Sequence, residues 1–502
     1  MQQLPPFVKN LPRTRIVCTI GPATGNVNRA RQLIRAGMSV ARLNLSHGSP
    51  EDHSEYVAAV REAAKQIGVH VGILADLPGP KYRIGTVHPE QAVKQSGREG
   101  IAVNTRDNFV LTAERVHTTS QRGTVWPAGL HHDIRPRASI LIDEGAVELR
   151  VDKVDGEEIH CTVRRGGLIQ SDKAVTAPGN TSTLDYFTDE TVAALEFAVK
   201  ADVDFVGLSY IRNRDDLRAV RKWLADAGRN PVLVAKIEIK EAVDNLNEIL
   251  DETDVIMVAR GDLGVEMPLH LVPTTQKRMI RMANEVGKPV ITATQMLESM
   301  RDNPYPTRAE STDVYNAVRD GTDAVMLSAE TSVGDYPVAA VKFMARVSKM
   351  AERYLDTEML RNRRMAIIDK EGRHAQINSI IAFDAARTAD TLRSKAILTF
   401  TETGTTADRV AAFRPRTPII ALSPNQKTLN NLSMRWGVIP ILAESLAELD
   451  QMFGYGANLA KEIGFAKDAD TVVLVAGVPI GQTGSTNLLR VITIGDDDQG
   501  SS

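Results

Sequence analysis

The stretch that decides the architecture is PVLVAKIE at residues 231–238, followed by a helical run and then VIMVARGD at residues 255–262. Each opens on a β-branched apolar segment, the pattern of a short strand buried on both faces of a parallel sheet. Each closes on charge: Lys236 and Glu238 in the first, Arg260 and Asp262 in the second. Strand side chains alternate, so Lys236 and Glu238 project to the same side. Six further runs of this kind lie outward along the chain, at 15–21, 40–46, 71–77, 205–211, 289–295 and 324–331, each followed by a helical pattern. The helix after 40–46 is plainly bounded: Ser49 caps it, Pro50 takes its first position, Glu51 and Asp52 suit its positive end, and Gly68 stops it. Eight strand-then-helix units predict an α/β fold, a (β/α)8 TIM-type barrel with its chemistry at the C-terminal strand ends. An open parallel sheet uses the same alternation, and the position of the polar residues favours the barrel. Arg42, Asn44 and Ser46 alternate with leucines, and Thr292, Thr294, Ser328 and Glu330 fall at the same ends of their strands.

The third unit is interrupted. Between Asp76 and the run at 205–211, short β segments alternate with Gly, Pro, Asn and Asp turns, which predicts an inserted small β-barrel lid over residues 81–181. Placed at the catalytic rim, such a module closes over substrate and excludes water. After residue 356 a charged helical stretch leads to β runs at 396–402, 418–424, 438–442, 471–477 and 489–495, the pattern of a separate α/β domain. The expected organisation is an N-terminal segment 1–12, a barrel built from 13–80 and 182–356, the lid, and a C-terminal α/β regulatory domain 357–502.

Composition narrows the function by exclusion. A net charge of −3 with no long run of Lys and Arg argues against a nucleic-acid partner. No apolar stretch approaches the roughly 20 residues that cross a bilayer, so no membrane partner is expected. Cys18 and Cys161 are the two cysteines and have no metal-ligand spacing, so they read as buried free thiols of a reducing, cytoplasmic compartment.

The rim residues carry a specific chemistry. Glu238 and Asp262 suit Mg2+, which takes one or two protein carboxylates and completes its octahedron with substrate oxygens and water. Lys236 and Arg42 add the cations that a transferring phosphoryl group requires, the guanidinium as a fork and the ammonium as a point charge. The backbone N–H groups of Gly261 and Asp262, with the Thr294 hydroxyl, offer a cradle for a substrate carboxylate. Any one of these residues alone is better explained by a structural ion pair, whereas the whole cluster is not. His47 reads equally as a helix-capping or core histidine. Arg301 with Asp302 and Arg308 with Glu310 read as solvated or supporting charges.

Read as strings, the same residues resemble a known family. CTIGPA at 18–23, ARLNLSHG at 41–48, KIE at 236–238, MVARGDLGVE at 257–266, KPVITATQMLESM at 288–300, PTRAESTDVYNAV at 306–318, MLSAETSVGDYP at 326–337 and AGVPIGQTGSTN at 476–487 resemble the pyruvate kinases over nearly the whole chain. The resemblance implies phosphoryl transfer from phosphoenolpyruvate to ADP, with Mg2+, or Mn2+ in its place, as cofactor. It implies that Arg42 and Lys236 hold the phosphoryl group, that Glu238 and Asp262 bind Mg2+, and that Gly261, Asp262 and Thr294 hold the substrate carboxylate. Asn44, His47 and Arg83 would face the nucleotide, and Thr294 and Ser328 would order the water that delivers a proton. Around the monovalent-cation position, Asn44, Ser46 and Asp76 match the usual K+ ligands. Leu77, however, supplies no hydroxyl and Lys81 stands where potassium-dependent members have a glutamate, so the Lys81 ammonium is expected to replace K+. Glu190 stands where many relatives have a lysine near the nucleotide phosphates. The loop of Thr401, Thr403, Gly404, Thr405 and Thr406 resembles a site for a phosphorylated allosteric effector, and reads equally as an ordinary helix-capping turn. A homotetramer is also implied. Two other readings fit parts of the pattern: a barrel lyase acting on pyruvate or phosphoenolpyruvate, and a catalytically silent sugar-phosphate sensor. The lyase has no use for a lid or for Arg83, and the sensor has none for Lys236, Glu238, Asp262 and Thr294.

Overall fold

The computed structural model describes residues 4–95, 97–180, 183–368, 372–446, 448–479 and 484–495. Residues 480–483 of the AGVPIGQTGSTN motif therefore lie outside the described residues. Eight parallel strands close into a barrel: β1 (Arg15–Thr19), β2 (Met38–Asn44), β3 (Gly72–Asp76), β4 (Phe205–Leu208), β5 (Val232–Ile237), β6 (Val255–Ala259), β7 (Val290–Ala293) and β8 (Ala324–Leu327), with β8 pairing back to β1. Every barrel strand stops short of the bound read from sequence. The polar residues at 260–262 begin a helix, Arg260–Glu266, and those at 294–295 form a turn. Strand pairing ends once the chain turns outward to form the rim, and composition alone does not mark that point.

Alternation along each strand divides the core in two. Ala41, Leu43, Ile73, Ala75, Ala235 and Ile237 pack outward against the helices. Val17, Val40, Leu74, Val234, Met257, Ile291 and Met326 fill the barrel interior. Met434, from the C-terminal domain, belongs to that interior cluster, and the Gly72 N–H at the start of β3 donates to Ser433 Oγ at 3.0 Å. Gly72 is required there, since a Cβ would stand 2.5 Å from the Phe205 ring. The helix after β2 spans Pro50–Ile67 with a reciprocal capping box between Ser49 and Asp52, and Gly68 ends it in the left-handed region.

Between β3 and β4 the chain builds a second closed barrel of seven strands among the described residues, mostly antiparallel, around Phe109, Leu111, Ile140 and Leu149. Its first strand is Tyr82–Ile84 and its last Ala174–Thr176. The entry and exit segments lie side by side, since Thr191 Oγ1 donates to the Pro78 carbonyl at 3.2 Å. The C-terminal unit is a five-stranded sheet of order β11-β10-β9-β12-β13, from β9 (Ile397–Phe400), β10 (Ile419–Ser423), β11 (Val438–Leu442), β12 (Thr471–Ala476) and β13 (Leu488–Thr493). Only β13 runs antiparallel to its neighbour. Cys18 and Cys161 are both free and buried.

Candidate active site

The inner face of the barrel sets the site. Counting by twos from apolar interior residues leads from Val40 to Arg42 and Asn44, from Leu74 to Asp76, from Val234 to Lys236 and Glu238, and from Met326 to Ser328. The stacked interior therefore ends in polar side chains at the C-terminal rim, as the period of two requires.

Asp76 and Lys236 organise the centre. Asp76 is buried and takes Arg42 Nε at 2.7 Å and Arg42 Nη2 at 2.6 Å through Oδ2, while its Oδ1 lies 3.1 Å from Lys236 Nζ. Lys236 Nζ also lies 2.8 Å from Glu238 Oε1 and donates to Ser209 Oγ at 2.6 Å. Burial alone would lower the Lys236 pKa, but Asp76 and Glu238 outweigh it and hold the ammonium above its ordinary value. Burial likewise opposes the charge on Asp76, and Lys236 and Arg42 overcome it, so its pKa is lowered. Glu238 goes the other way: burial raises its pKa, and the offset from Lys236 is incomplete because Asp262 repels it. Arg42 also donates to Thr19 Oγ1 at 2.9 Å. Three of its five N–H groups are thus engaged, which leaves two for an oxyanion. The fork face itself is taken by Asp76, so the bidentate grip on phosphate expected from sequence is reduced to the outer edge of the guanidinium.

Asp262 sits in the first turn of the helix after β6, where a carboxylate meets the positive end of the helix. Its Oδ1 accepts from Tyr210 Oη at 3.0 Å and lies 3.2 Å from Lys81 Nζ. Burial works against its charge, but Lys81, Lys236 and the Tyr210 hydroxyl prevail and lower its pKa. The backbone N–H of Tyr210 donates to Glu238 Oε2 at 2.9 Å, so both carboxylates are anchored on one residue. Lys81 stands 5.0 Å over the Tyr210 ring. On the same helix as Asp262, Glu266 has its pKa raised to about 7 by burial, against the backbone N–H of Gly179 in the lid exit.

The neighbouring strand end carries Thr294 in an unusual backbone state. Thr294 and Gln295 have φ of 60° and 52°, which costs a β-branched residue on the order of 1–3 kcal/mol. Arg260 secures the turn, donating to the carbonyls of Ala293 at 3.2 Å, Thr294 at 2.6 Å and Gln295 at 3.2 Å while pairing with Asp313. The turn brings Thr294 Oγ1 to 2.9 Å from the Gly261 N–H, which donates to it. Ser328 Oγ is buried without a hydrogen-bond partner among the described residues, and the Ser328 N–H donates to Glu330 Oε2 at 2.7 Å.

A wide cleft between rim and lid is lined by Arg42, Asn44, Ser46, His47, Lys81, Arg83, Glu190, Lys236, Glu238 and Asp262. His47 is exposed to that cleft. It is neither the cap, which is Ser49, nor the core histidine, which is His53, whose ring Nε2 lies 2.7 Å from the His47 carbonyl. Arg83 donates to the Asp172 carbonyl at 3.0 Å from the lid side. The Leu77 side chain packs in the outer core instead of facing the cleft, and its carbonyl accepts from Ser209 Oγ at 2.7 Å. Glu310 does not pair with Arg308; it closes a capping box with Thr307 and binds Ser299. In the C-terminal domain, Thr401 Oγ1 accepts from the Gly404 N–H at 2.9 Å, Thr403 and Thr405 hydroxyls pair at 2.8 Å, and Thr406 pairs with Thr486 at 3.1 Å. The pocket beside this loop also holds Glu402 and Glu444.

Glu238 and Asp262 fit Mg2+ by their chemistry: hard oxygen donors, two in number, facing one cleft and tied to one residue. Sequence reasoning missed Thr19, Ser209 and Tyr210, and placed Arg260 and Glu330 at the rim without assigning them a role. Thr19 and Ser209 were within reach of the rule that found Lys236, since each falls at the polar end of a barrel strand. The role of Arg260 depends on a left-handed turn 34 residues away and has no local signal.

Comparison with known proteins identifies the family to which this fold belongs. The pyruvate kinase barrel domain model matches residues 11–341, and the pyruvate kinase alpha/beta domain model matches residues 379–492. A pyruvate kinase of Staphylococcus epidermidis is 38% identical over 487 residues, spanning 97% of this chain and 81% of that protein. One of Staphylococcus aureus is 38% identical over 488 residues with the same coverage. A crystal structure of a pyruvate kinase from Cryptosporidium parvum superposes with a TM-score of 0.89 at 34% identity, covering 97% of both chains. With the barrel, the C-terminal domain and nearly the full length all matched, the chain belongs to the pyruvate kinase family and is a phosphotransferase.

Proposed function

We propose that the cleft transfers the phosphoryl group of phosphoenolpyruvate to ADP through a magnesium site on Glu238 and Asp262. The observation that carries this reading is the Lys236 ammonium, held charged between Asp76 and Glu238 at the inner rim. There it neutralises charge on the equatorial phosphoryl oxygens, and the two remaining N–H groups of Arg42 share that task. When held by Glu238 and Asp262, Mg2+ would supply Lewis-acid charge stabilisation there. We read Gly261, Asp262 and Thr294 as the cradle of the substrate carboxylate; the Gly261 N–H donates to Thr294 Oγ1 and that hydroxyl to the Ala293 carbonyl, so both bonds are exchanged when the carboxylate docks. Asn44, His47 and Arg83 face the nucleotide from the cleft wall. Transfer leaves the enolate of pyruvate, and a water held at Ser328 Oγ, which has no hydrogen-bond partner among the described residues, and at Thr294 delivers the proton to its methylene carbon. Pyruvate formation from phosphoenolpyruvate, ADP and Mg2+ tests the assignment. Lys236→Met, which removes the charge and keeps the bulk, is expected to lose turnover while keeping its circular dichroism; retained turnover would overturn the role.

We further read the enzyme as independent of K+, because Lys81 keeps one positive charge in the cleft. Its ammonium pairs with Asp262 and not with Asp76, the carboxylate of the expected K+ position, which pairs instead with Arg42 and Lys236. Full activity in K+-free buffer is the expected result, and strong activation by K+ would refute it. We read the units as a lid at 81–181 and a regulatory domain from 357, with the Thr401–Thr406 loop taking a phosphorylated effector through its hydroxyls. Glu402 and Glu444 in that pocket oppose a fully ionised phosphate, so a sugar phosphate and a nucleotide monophosphate should be compared for shifts in the phosphoenolpyruvate saturation curve. We carry the homotetramer as the expected assembly, with exposed Leu269, Tyr305, Ile377 and Ile380 as apolar surface available to it, and sedimentation would verify the number of subunits.

A further inference from the structure

Tyr210 holds an unusual position for a residue that carries none of the chemistry. It directly follows Ser209, the hydrogen-bond partner of Lys236, and adopts a left-handed backbone with φ of 56°. That conformation is costly for an aromatic residue and persists only where the surroundings demand it. Two contacts account for it. The backbone N–H reaches Glu238 Oε2 at 2.9 Å, and the side chain crosses the rim so that Oη reaches Asp262 Oδ1 at 3.0 Å. The ring between these ends supports the Lys81 ammonium at 5.0 Å, and Lys81 Nζ itself lies 3.2 Å from the same Asp262 oxygen.

We infer that Tyr210 is the positioning residue of the divalent-metal site, a role that rests on the magnesium reading above. Its amide fixes one carboxylate and its phenol the other, so one rigid side chain sets the span between Glu238 and Asp262. The geometry of the pair then does not depend on the metal to organise it. Residues that hold metal ligands from behind typically alter metal affinity by about 10- to 100-fold when removed, because the ligands must be ordered at the moment of binding. Mg2+, with its narrow octahedral tolerance, is the ion most sensitive to such ordering. The hydroxyl is the part to remove: Tyr210→Phe deletes one oxygen while keeping the ring under Lys81 and the backbone N–H on Glu238.

The test is direct Mn2+ binding to the full chain without substrates, read by electron paramagnetic resonance of free Mn2+, beside the thermal midpoint of each variant. Wild type, Tyr210→Phe and Glu238→Gln are compared. The expected result is Mn2+ affinity weakened roughly tenfold in Tyr210→Phe, with the thermal midpoint within a few degrees of wild type. In turnover, the concentration of Mg2+ giving half-maximal rate should rise by a similar factor while the rate at saturating Mg2+ changes little. Weakened binding in Glu238→Gln with unchanged binding in Tyr210→Phe would overturn the role of Tyr210 and leave the metal site standing. Unchanged binding in both would overturn the metal site itself. Tighter binding in Tyr210→Phe would also overturn the inference, since the phenol would then be competing with the ion for Asp262.

Discussion

Ser209 Oγ stands between Lys236 and the backbone, accepting from Lys236 Nζ at 2.6 Å and donating to the Leu77 carbonyl at 2.7 Å. The hydroxyl thus aims the ammonium without carrying charge. Ser209→Ala leaves Asp76 and Glu238 to hold Lys236 but removes its third fixed direction. Turnover is expected to fall about tenfold, roughly 1.4 kcal/mol of barrel-rim positioning, with a smaller change in KM for phosphoenolpyruvate. Steady-state kinetics would show this split, and an unchanged kcat would contradict it.

Arg260 is fully committed to the turn at Thr294 and Gln295. Arg260→Lys keeps the charge opposite Asp313 but loses the planar fork that holds three carbonyls. The strained turn should relax and carry the Thr294 hydroxyl away from Gly261. A loss of about a hundredfold in kcat/KM is expected, a size typical of displacing a positioned group by about an ångström. Thr294→Ala in the Arg260→Lys background should then add little, because both changes act on the same contact.

The joint between the barrel and the C-terminal domain holds a buried ion pair. Arg414 meets Asp323 through two bonds, at 2.5 and 2.8 Å, donates to the Gly321 carbonyl at 2.8 Å, and stacks 5.0 Å over Trp436. Arg414→Met strands the Asp323 carboxylate without its partner, which typically costs about 3–5 kcal/mol. The midpoint of urea unfolding should fall accordingly. The double variant Arg414→Met with Asp323→Leu should recover much of the loss.

His70 lies at the same joint, where its Nδ1 accepts from Gln426 Nε2 at 2.6 Å. Burial lowers its pKa from 6.5 to about 4. Between those values the unfolded chain binds a proton that the folded chain refuses, so stability falls as pH drops from about 6.5 to about 4 and is unaffected by this group above that window. His70→Asn should flatten this part of the pH–stability profile, as followed by thermal midpoints at fixed ionic strength.

The barrel was legible in the sequence because its signal is local. Apolar runs bounded by helix caps such as Ser49 and Gly68 mark each unit, and the period of two carries Val234 to Lys236 and Glu238 on one face. The grouping of the candidate site residues at one rim was legible for the same reason. Strand ends were read too long, because Arg260 and Thr294 extend the strand-like composition after pairing has stopped. Tyr210 escaped, and Arg260 was placed at the rim without its role, because their importance comes from turns in the left-handed region and from partners on other strands. Such relationships exist only once the barrel has closed. The same limit applied to Arg42: its type announced an anion site, but only the folded form shows how much of its fork Asp76 already takes.

The adjacency of Pro78 and Thr191 has a consequence for how this chain was assembled. β3 pairs with β4 directly, Leu74 opposite Phe205, and nothing in that pairing passes through the intervening module. The module is therefore a guest whose two tethers leave and re-enter at one doorway. Excising it and bridging the doorway with a short turn should leave the host able to close its ring while stripping the cover from the cleft, so that folding survives where turnover is lost.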